Sequence, residues 1–176
     1  MCTRIFIIGS IPKGDGERES WKDWKPEYLE KLSQIPNVEI NDGDTWRDET
    51  KPLLLVGHCA NHIRNCDLVI VNSENSMGVG TSQEILIAKY FSKPIISVIP
   101  KNSPHRRSDI VFDNTHIGDW IHPFLFTFSD LIIEDVSECI AWIQDYTQNP
   151  KSKTIKNIAV IDDVITSYLQ EQKFSQ

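Results

Sequence analysis

The chain has 176 residues, which is about the length of one globular domain. Its content of 40% hydrophobic and 24% charged residues is close to the globular average and excludes a disordered or collagen-like chain. The net charge of -7 argues against a nucleic-acid partner, because phosphate backbones bind to broad basic surfaces, whereas a small anionic ligand needs only local donors.

The cysteines and the N-terminal residues favour a cytoplasmic protein. The four cysteines are scattered without the paired spacing of a disulfide framework, so we expect reduced thiols packed as small hydrophobic groups. The first residues lead directly into a strand-like run without the organisation of a signal peptide. The longest apolar runs are much shorter than the roughly 20 residues that span a bilayer, so we expect no membrane partner.

Short apolar runs alternate with segments of helical periodicity along the whole chain. The predicted elements, in chain order, are a strand at 4–9, a helix at 20–35, a strand at 38–40, a helix at 52–65, a strand at 67–71, a helix at 81–91, a strand at 93–99, a loop at 100–120, a strand at 131–133, and helices at 136–146 and 155–172. Ser20 is the predicted cap of the first helix, and Pro52 occupies a favoured first-turn position in the second.

This alternation predicts a parallel sheet flanked by helices. Ligands in such sheets bind beyond the carboxyl ends of the strands, and two glycine-rich turns, at 9–16 and 76–81, lie at such ends. The linker-like break at 150–153 leaves one α/β domain at 1–150. We expect the helix in 151–176 to pack on the same domain or on a dimer partner.

The turn at 76–84 carries the strongest chemical signal. Gly78 and Gly80 are expected to adopt positive φ and to let the backbone approach a ligand, and Thr81 is expected to cap the following helix. The N-terminus of that helix suits a phosphate or another oxyanion. Glu84, expected in its first turn, suits a nucleophile or a base, but the spacing from Thr81 to Glu84 also fits a capping box.

Several segments, in consistent order over residues 4–100, resemble the nucleoside 2-deoxyribosyltransferase-like superfamily. These segments are Gly9-Ser10-Ile11, 66–71, Ser76-Met77-Gly78-Val79-Gly80, Gly80-Thr81-x-x-Glu84 and 93–96. The first and third are most similar to its 2'-deoxynucleoside 5'-monophosphate N-glycosidase branch. The resemblance implies a flavodoxin-like (Rossmann-like) three-layer sandwich with a five-stranded parallel sheet. It further implies a homodimer, a nucleoside or nucleotide as the small-molecule partner, and neither a metal nor an organic cofactor.

The resemblance also implies roles for particular residues. Glu84 matches the glutamate that attacks the anomeric carbon of the sugar, although the glycosidase branch has that glutamate two residues closer to the second glycine. Ser76 matches a serine that contacts the 5'-phosphate. Arg18, with Lys13, is a candidate for positive charge near that phosphate. The expected substrate-binding residues are Gly9, Ser10, Ile11, Arg18, Trp46, Ser76, Met77, Gly78, Gly80 and Thr81, of which Trp46 is a loop aromatic that suits stacking on a base.

The sequence departs from the family at the group that handles protons. The family has an aspartate on the helix before the strand at 67–71, but here that helix reads Gly57-His58-Cys59-Ala60-Asn61-His62. His58 and Asp48 are therefore the candidates for proton transfer. His58 and His62 also have the i, i+4 spacing of metal ligands, but no further ligand set is evident and a polar helix face is the simpler interpretation.

The stretch from Trp120 to Phe126 is unusually aromatic. Three interpretations stay open, because it suits packing over the sheet end, a dimer interface, or completion of a neighbouring subunit's site. The leading hypothesis for the whole chain is cleavage or transfer at the N-glycosidic bond of a (deoxy)nucleoside or its 5'-monophosphate through a glycosyl-enzyme intermediate. The alternatives are a lysine-decarboxylase-like nucleotide phosphoribohydrolase and a non-catalytic nucleotide-binding sensor, which the missing aspartate favours.

Overall fold

The structure is a computed structural model that describes residues 2–45 and 48–174. A five-stranded sheet at its centre has the strand order β2-β1-β3-β4-β7, and all four neighbouring pairs are parallel. The sheet strands are β1 (Thr3–Gly9), β2 (Val38–Asn41), β3 (Leu68–Asn72), β4 (Ile95–Val98) and β7 (Leu131–Ile133). This order is the flavodoxin-like one, and it confirms the predicted sheet.

Helices cover both faces of this sheet. The helices of the described chain are α1 (Asp15–Glu19), α2 (Lys25–Leu32), α3 (Pro52–Asn65), α4 (Val79–Tyr90), α5 (Pro123–Phe128), α6 (Ile140–Gln148) and α7 (Val160–Phe174), with short 3-10 turns at Val136–Cys139 and Pro150–Ser152. Within the described ranges, no helix is long and apolar enough to cross a membrane.

Alternate side chains of β1 enter two separate cores. Ile5 and Ile7 pack with α2 and α6 on one face of the sheet, whereas Phe6 and Ile8 pack with α3, α4 and α5 on the other. Because both faces are covered, an inner strand has no polar side, which is why the apolar runs lack alternation. The three-layer sandwich is therefore confirmed.

The first predicted helix, at 20–35, is wrong in its start. The helix α2 begins at Lys25 with Trp24 as its N-cap residue, and Ser20 instead follows the short helix α1. Pro26 explains the difference. A proline is tolerated in the first turn of a helix but removes a hydrogen bond and clashes in its interior, so the helix cannot continue upstream.

The predicted loop at 100–120 is also wrong, because it contains an antiparallel hairpin. Strand β5 (Arg106–Phe112) pairs with β6 (Thr115–Ile121). Asp113 and Asn114 connect them with φ of 47° and 61°, which is the two-residue turn that matches the twist of a hairpin. The Asp-Asn pair was the sequence signal for this turn. Most residues of the two flanking strands are exposed and show little alternation of apolar and polar side chains, so the strands were not predicted.

Candidate active site

The two glycine-rich turns meet at one point of the sheet. The chain passes from β1 outward to β2 and then returns to β3 on the other side of β1, so β1 and β3 flank the topological switch point. Gly9 at the end of β1 is paired with Asn72 at the end of β3. Just beyond, the Ser10 hydroxyl oxygen lies 3.9 Å from the position that a Cβ atom on Gly78 would occupy. A crevice at this position is where ligands bind in open α/β sheets.

The first turn is held by Trp24. The indole Nε1–H of Trp24 donates a hydrogen bond to the Ser10 carbonyl at 3.1 Å. A Cβ atom on Gly9 would lie 2.6 Å from the Trp24 ring and 3.0 Å from the Cβ of Asn72, so only glycine fits between them. Trp24 is thus a supporting residue that sequence reasoning placed only in helix packing.

The second turn, at 76–81, is stabilised by the residues that precede it and by His105, which lies just before β5. The Asn72 side-chain oxygen accepts a hydrogen bond from the Glu74 amide at 3.0 Å, and the Ser73 hydroxyl donates to the Met77 sulfur at 3.4 Å. The Met77 amide donates to Nε2 of His105 at 3.2 Å, which requires this nitrogen to be unprotonated. Burial lowers the pKa of His105 and so favours that neutral ring. Ser76 is exposed at the tip of this turn.

The helix after this turn begins earlier than predicted. Gly78 is its N-cap residue, Thr81 is the buried third residue of the helix, and Glu84 is the sixth. The expectations that Thr81 caps the helix and that Glu84 lies in its first turn are therefore wrong, and so is the capping-box alternative, because a capping box needs its carboxylate at the third helical position. The positive φ expected at Gly78 is wrong too, since its φ is -76°, and Gly80 lies within the helix. Positive φ among the described glycines is confined to Gly14 and Gly43.

Glu84 faces α3 from the second turn of α4. The Cys59 thiol of α3 donates a hydrogen bond to the Glu84 carboxylate, and the Lys13 ammonium is close enough to stabilise its negative charge. Both effects lower the pKa of Glu84, but burial raises it more, and the net pKa lies above the ordinary glutamate value. Burial and the charge of Glu84 raise the pKa of Cys59 to about 12, so Cys59 is a protonated donor at neutral pH.

Cys59 is the residue that sequence reasoning missed, since it was expected to be only a packed thiol. It lies on α3, the helix on which the resemblance implied an aspartate, and it faces Glu84. The one sequence signal for it was this position on the helix before β3.

The cationic side chains near the crevice are engaged in ion pairs. Lys13 lies 2.8 Å from Glu49 in an exposed pair, which is a weak interaction in water. Arg18 donates to the Pro12 carbonyl at 3.3 Å and lies 3.4 Å from Asp44. Arg18 therefore fastens the loop after β1 to the loop after β2.

The two candidates for proton transfer face other groups. The His58 ring nitrogen Nε2 lies 3.1 Å from the Gly43 carbonyl. Asp48 accepts from the Thr50 amide at 3.1 Å and pairs with Lys51 at 3.0 Å, and its bonds with these two residues lower its pKa. Trp46, the predicted base-stacking residue, lies outside the described residues. Within the described chain, no group of three or more metal-ligating side chains is assembled.

The aromatic stretch forms part of a pocket on the opposite side of α4. The pocket has a volume of about 300 Å³, and its lining residues include Met77, Ile85, Leu86, His122 and Phe124. Residues 82, 83, 85 and 86 of α4 line it, whereas Glu84 points the other way, as the 100° step of a helix requires.

Several solved structures resemble this chain, and two of them are informative. The CMP N-glycosidase BcmB of Clostridium botulinum is 19% identical with a TM-score of 0.46, and the alignment covers 82% of this chain and 99% of that one. A 2-deoxyribosyltransferase from the psychrotolerant bacterium Bacillus psychrosaccharolyticus is 13% identical with a TM-score of 0.50, and the alignment covers 88% and 98%. No protein-family model and no curated protein matches the sequence.

The sheet order and the second of these likenesses agree on the fold. The chain has a flavodoxin-like α/β fold, which it shares with this 2-deoxyribosyltransferase and which the resemblance in the sequence implied.

Proposed function

We propose that this protein cleaves or transfers the N-glycosidic bond of a (deoxy)nucleoside or its 5'-monophosphate, with Glu84 as the nucleophile. The observation that carries the proposal is the position of Glu84. Its carboxylate lies in the second turn of α4, partly buried against α3, beside the switch point and free of a capping role. The 2-deoxyribosyltransferase that shares the fold is named for a reaction of this class.

The proposed reaction has two steps. In the first, a Glu84 oxygen attacks the anomeric carbon, the bond between this carbon and the base nitrogen breaks, and the base leaves with the bonding electrons and takes up a proton. In the second, water or another base attacks the same carbon and releases the carboxylate. Cys59 and Lys13 stabilise the negative charge of Glu84 and partly offset the burial that raises its pKa, and the carboxylate is partly desolvated, which suits attack.

The substrate's phosphate or sugar would lie at the start of α4. Amide groups in the first turn of a helix lack helical partners and attract oxyanions. A Cβ atom on Gly80 would have no atom of the described residues within 4 Å, so space for a ligand lies beside this turn. We propose that Ser76, Met77, Gly78, Gly80 and Thr81 contribute from the second turn, and that Gly9, Ser10, Ile11 and Arg18 contribute from the first.

Proton transfer is proposed for His58 or Asp48. Asp48 is ionised at neutral pH and is the candidate that accepts a proton from the attacking water, while its bonds with Thr50 and Lys51 lower its pKa and make it a weaker base. His58 is then the candidate that donates a proton to the leaving base.

The test is incubation with a panel of deoxy and ribo nucleosides and their 5'-monophosphates, with the free base measured by chromatography. We expect wild type and Gln83→Ala to release base, and Glu84→Ala to release none. Gln83 is the matched control because it is the exposed neighbour of Glu84 on the same helix. Release from ribonucleoside monophosphates alone supports the phosphoribohydrolase alternative, and no release by wild type across the panel contradicts the proposal.

The second candidate function is nucleotide sensing without turnover. The observation that favours it is the thiol of Cys59, which faces Glu84 on the helix where the family has a carboxylate. Tight binding in calorimetry with no base released distinguishes this function from catalysis.

A further inference from the structure

His105 lies directly before β5 and reaches the segment that precedes α4. Its ring nitrogen Nε2 accepts a hydrogen bond from the Met77 amide at 3.2 Å. The ring also makes a backbone hydrogen bond with Asn75 that raises its pKa, so the ring is the donor and the Asn75 carbonyl accepts. A neutral imidazole has one N–H and one lone pair, which are the two groups that these contacts require. One ring therefore connects two residues that are separated only by Ser76.

Ser76 is held between two fixed neighbours. It is exposed at the tip of the turn, and Gly78, two residues later, is the N-cap residue of α4. The Ser76 hydroxyl and the free amides at the start of α4 are thus close along the chain, and their relative orientation depends on the backbone between them. Met77 fixes this backbone at both of its ends, because its amide donates to His105 and its sulfur accepts from the Ser73 hydroxyl.

The base of the hairpin gives His105 a firm support. The His105 carbonyl accepts a hydrogen bond from the His122 amide at 2.9 Å, which closes the base of the hairpin. The Arg106 guanidinium donates to the Ile99 carbonyl at 3.3 Å and to the Asp119 carboxylate at 2.7 and 2.8 Å. Ile99 is buried and follows β4, so these bonds attach the hairpin to the central sheet. The ring of His105 can therefore orient the turn that it contacts.

We propose that His105 is a positioning residue whose neutral ring holds Ser76 and the start of α4 in the arrangement that binds the phosphate of a nucleoside 5'-monophosphate. The inference rests on the proposed function, which assigns the phosphate to this turn. Without the two ring contacts, the turn would be free to adopt other conformations, and the phosphate would have to order it on binding. Such ordering costs affinity, so a turn that is ordered in advance binds more tightly.

The surroundings of the ring favour its neutral form. Burial lowers the pKa of His105 most, and the charges of His122 and Arg107 lower it further. The centroids of the His105 and His122 rings are 5.9 Å apart. Protonation would turn Nε2 into a donor that faces the Met77 amide, so the bond between them would be lost. The contact is therefore present at neutral pH and is lost as the pH falls through the lowered pKa of His105.

The proposal is tested by calorimetric titration of the full chain with ribose 5-phosphate and 2-deoxyribose 5-phosphate. Neither probe contains an N-glycosidic bond, so binding is measured without turnover. His105→Gln keeps an acceptor and a donor at the end of its side chain, whereas His105→Phe keeps a ring and removes both. At neutral pH we expect His105→Phe to weaken binding of the tighter sugar phosphate roughly 10-fold or more, and His105→Gln to weaken it less than about threefold.

Two controls separate this role from general packing. His116→Phe should bind like wild type, because His116 is an exposed histidine on the same hairpin. Ribose without a phosphate should bind no more tightly to wild type than to His105→Phe. The affinity of wild type for the sugar phosphate, divided by that of His105→Gln, should fall as the solution is acidified toward pH 5. The titration of the phosphate itself cancels in this ratio.

Three results would overturn the proposal. The first is a His105→Phe protein that is folded by circular dichroism and binds the sugar phosphate as tightly as wild type. The second is His105→Gln binding as weakly as His105→Phe, because the ring would then act by its shape alone. The third is a wild type that binds neither sugar phosphate. Binding that follows the expectations, with no base released from any nucleotide, would refute the proposed catalysis and leave the role of His105 intact.

Discussion

Cys59 of α3 donates a hydrogen bond to the carboxylate of Glu84 in the second turn of α4. The bond joins two helices on the same face of the sheet, next to the topological switch point between β1 and β3. It provides a donor to the one partly buried carboxylate that the proposed chemistry needs. The pH behaviour of the protein should therefore depend on a cysteine that is not itself ionised.

Replacement of Cys59 should move the acid limb of the pH–rate profile. The thiol lowers the pKa of Glu84, so Cys59→Ala should raise it, and activity should be lost at a higher pH as the solution is acidified. Cys59→Ser keeps a donor and should stay close to wild type. The measurement is kcat/KM for base release between pH 4 and pH 8. An identical acid limb in wild type and Cys59→Ala would show that the bond does not control Glu84.

Glu84→Gln should make the protein more stable at neutral pH. The pKa of Glu84 is higher in the folded state, mainly because of burial, so the folded state holds this proton more tightly. Protonated Glu84 favours the folded state at a pH below its pKa in the unfolded chain. This contribution to stability is lost as the pH rises through its pKa in the folded chain. At neutral pH the buried charge of Glu84 destabilises the folded state, and the neutral glutamine removes this effect. Such a gain is expected where a residue is present for function rather than for stability.

Thermal unfolding from pH 4 to pH 8 measures this effect. The gain in Tm of Glu84→Gln over wild type should grow with pH and vanish near pH 4. Glu30→Gln is the matched control, because Glu30 is exposed on α2 and the same change should have little effect on Tm at either pH. A lower Tm for Glu84→Gln at pH 8 would contradict the assignment.

Gly9→Ala should disturb the first turn. The added Cβ would lie 2.6 Å from the Trp24 ring, so the ring or the strand end must move. Overpacking of this kind costs about 1–3 kcal/mol, and the loss of the bond from Trp24 to the Ser10 carbonyl should weaken nucleotide binding as well. Gly16→Ala is the control, because a Cβ there meets no atom of the described residues within 4 Å. Urea unfolding and calorimetric titration of both variants measure the two effects.

The sheet could be predicted from the sequence because its determinants are local. The run from Ile5 to Ile8 is apolar at every position, and a strand covered on both faces requires that pattern. Pro52 begins α3 as predicted. The fixed φ of proline suits the first helical position, where its missing N–H would have had no helical partner, so this start depends on the residue itself.

The start of α4 and the partner of Glu84 could not be predicted in the same way. Thr81 and Gly78 are both acceptable N-cap residues, and the choice depends on how the preceding turn packs against Ser73, Met77 and His105. The contact between Cys59 and Glu84 depends on the packing of two helices. The sequence therefore indicated the two glycine-rich turns that meet at the switch point, but not the donor to the Glu84 carboxylate.

The central claim, that Glu84 forms a covalent bond to the sugar, is tested most directly by mass spectrometry of an acid-quenched reaction. The protein is mixed with a substrate identified from the nucleotide panel, quenched during turnover and digested. We predict a mass increase equal to the glycosyl group on the peptide that contains Glu84, and its absence in Glu84→Gln, together with a loss of base release of roughly 10³-fold or more. Base release by Glu84→Gln at the wild-type rate, with no modified peptide in wild type, would contradict the claim.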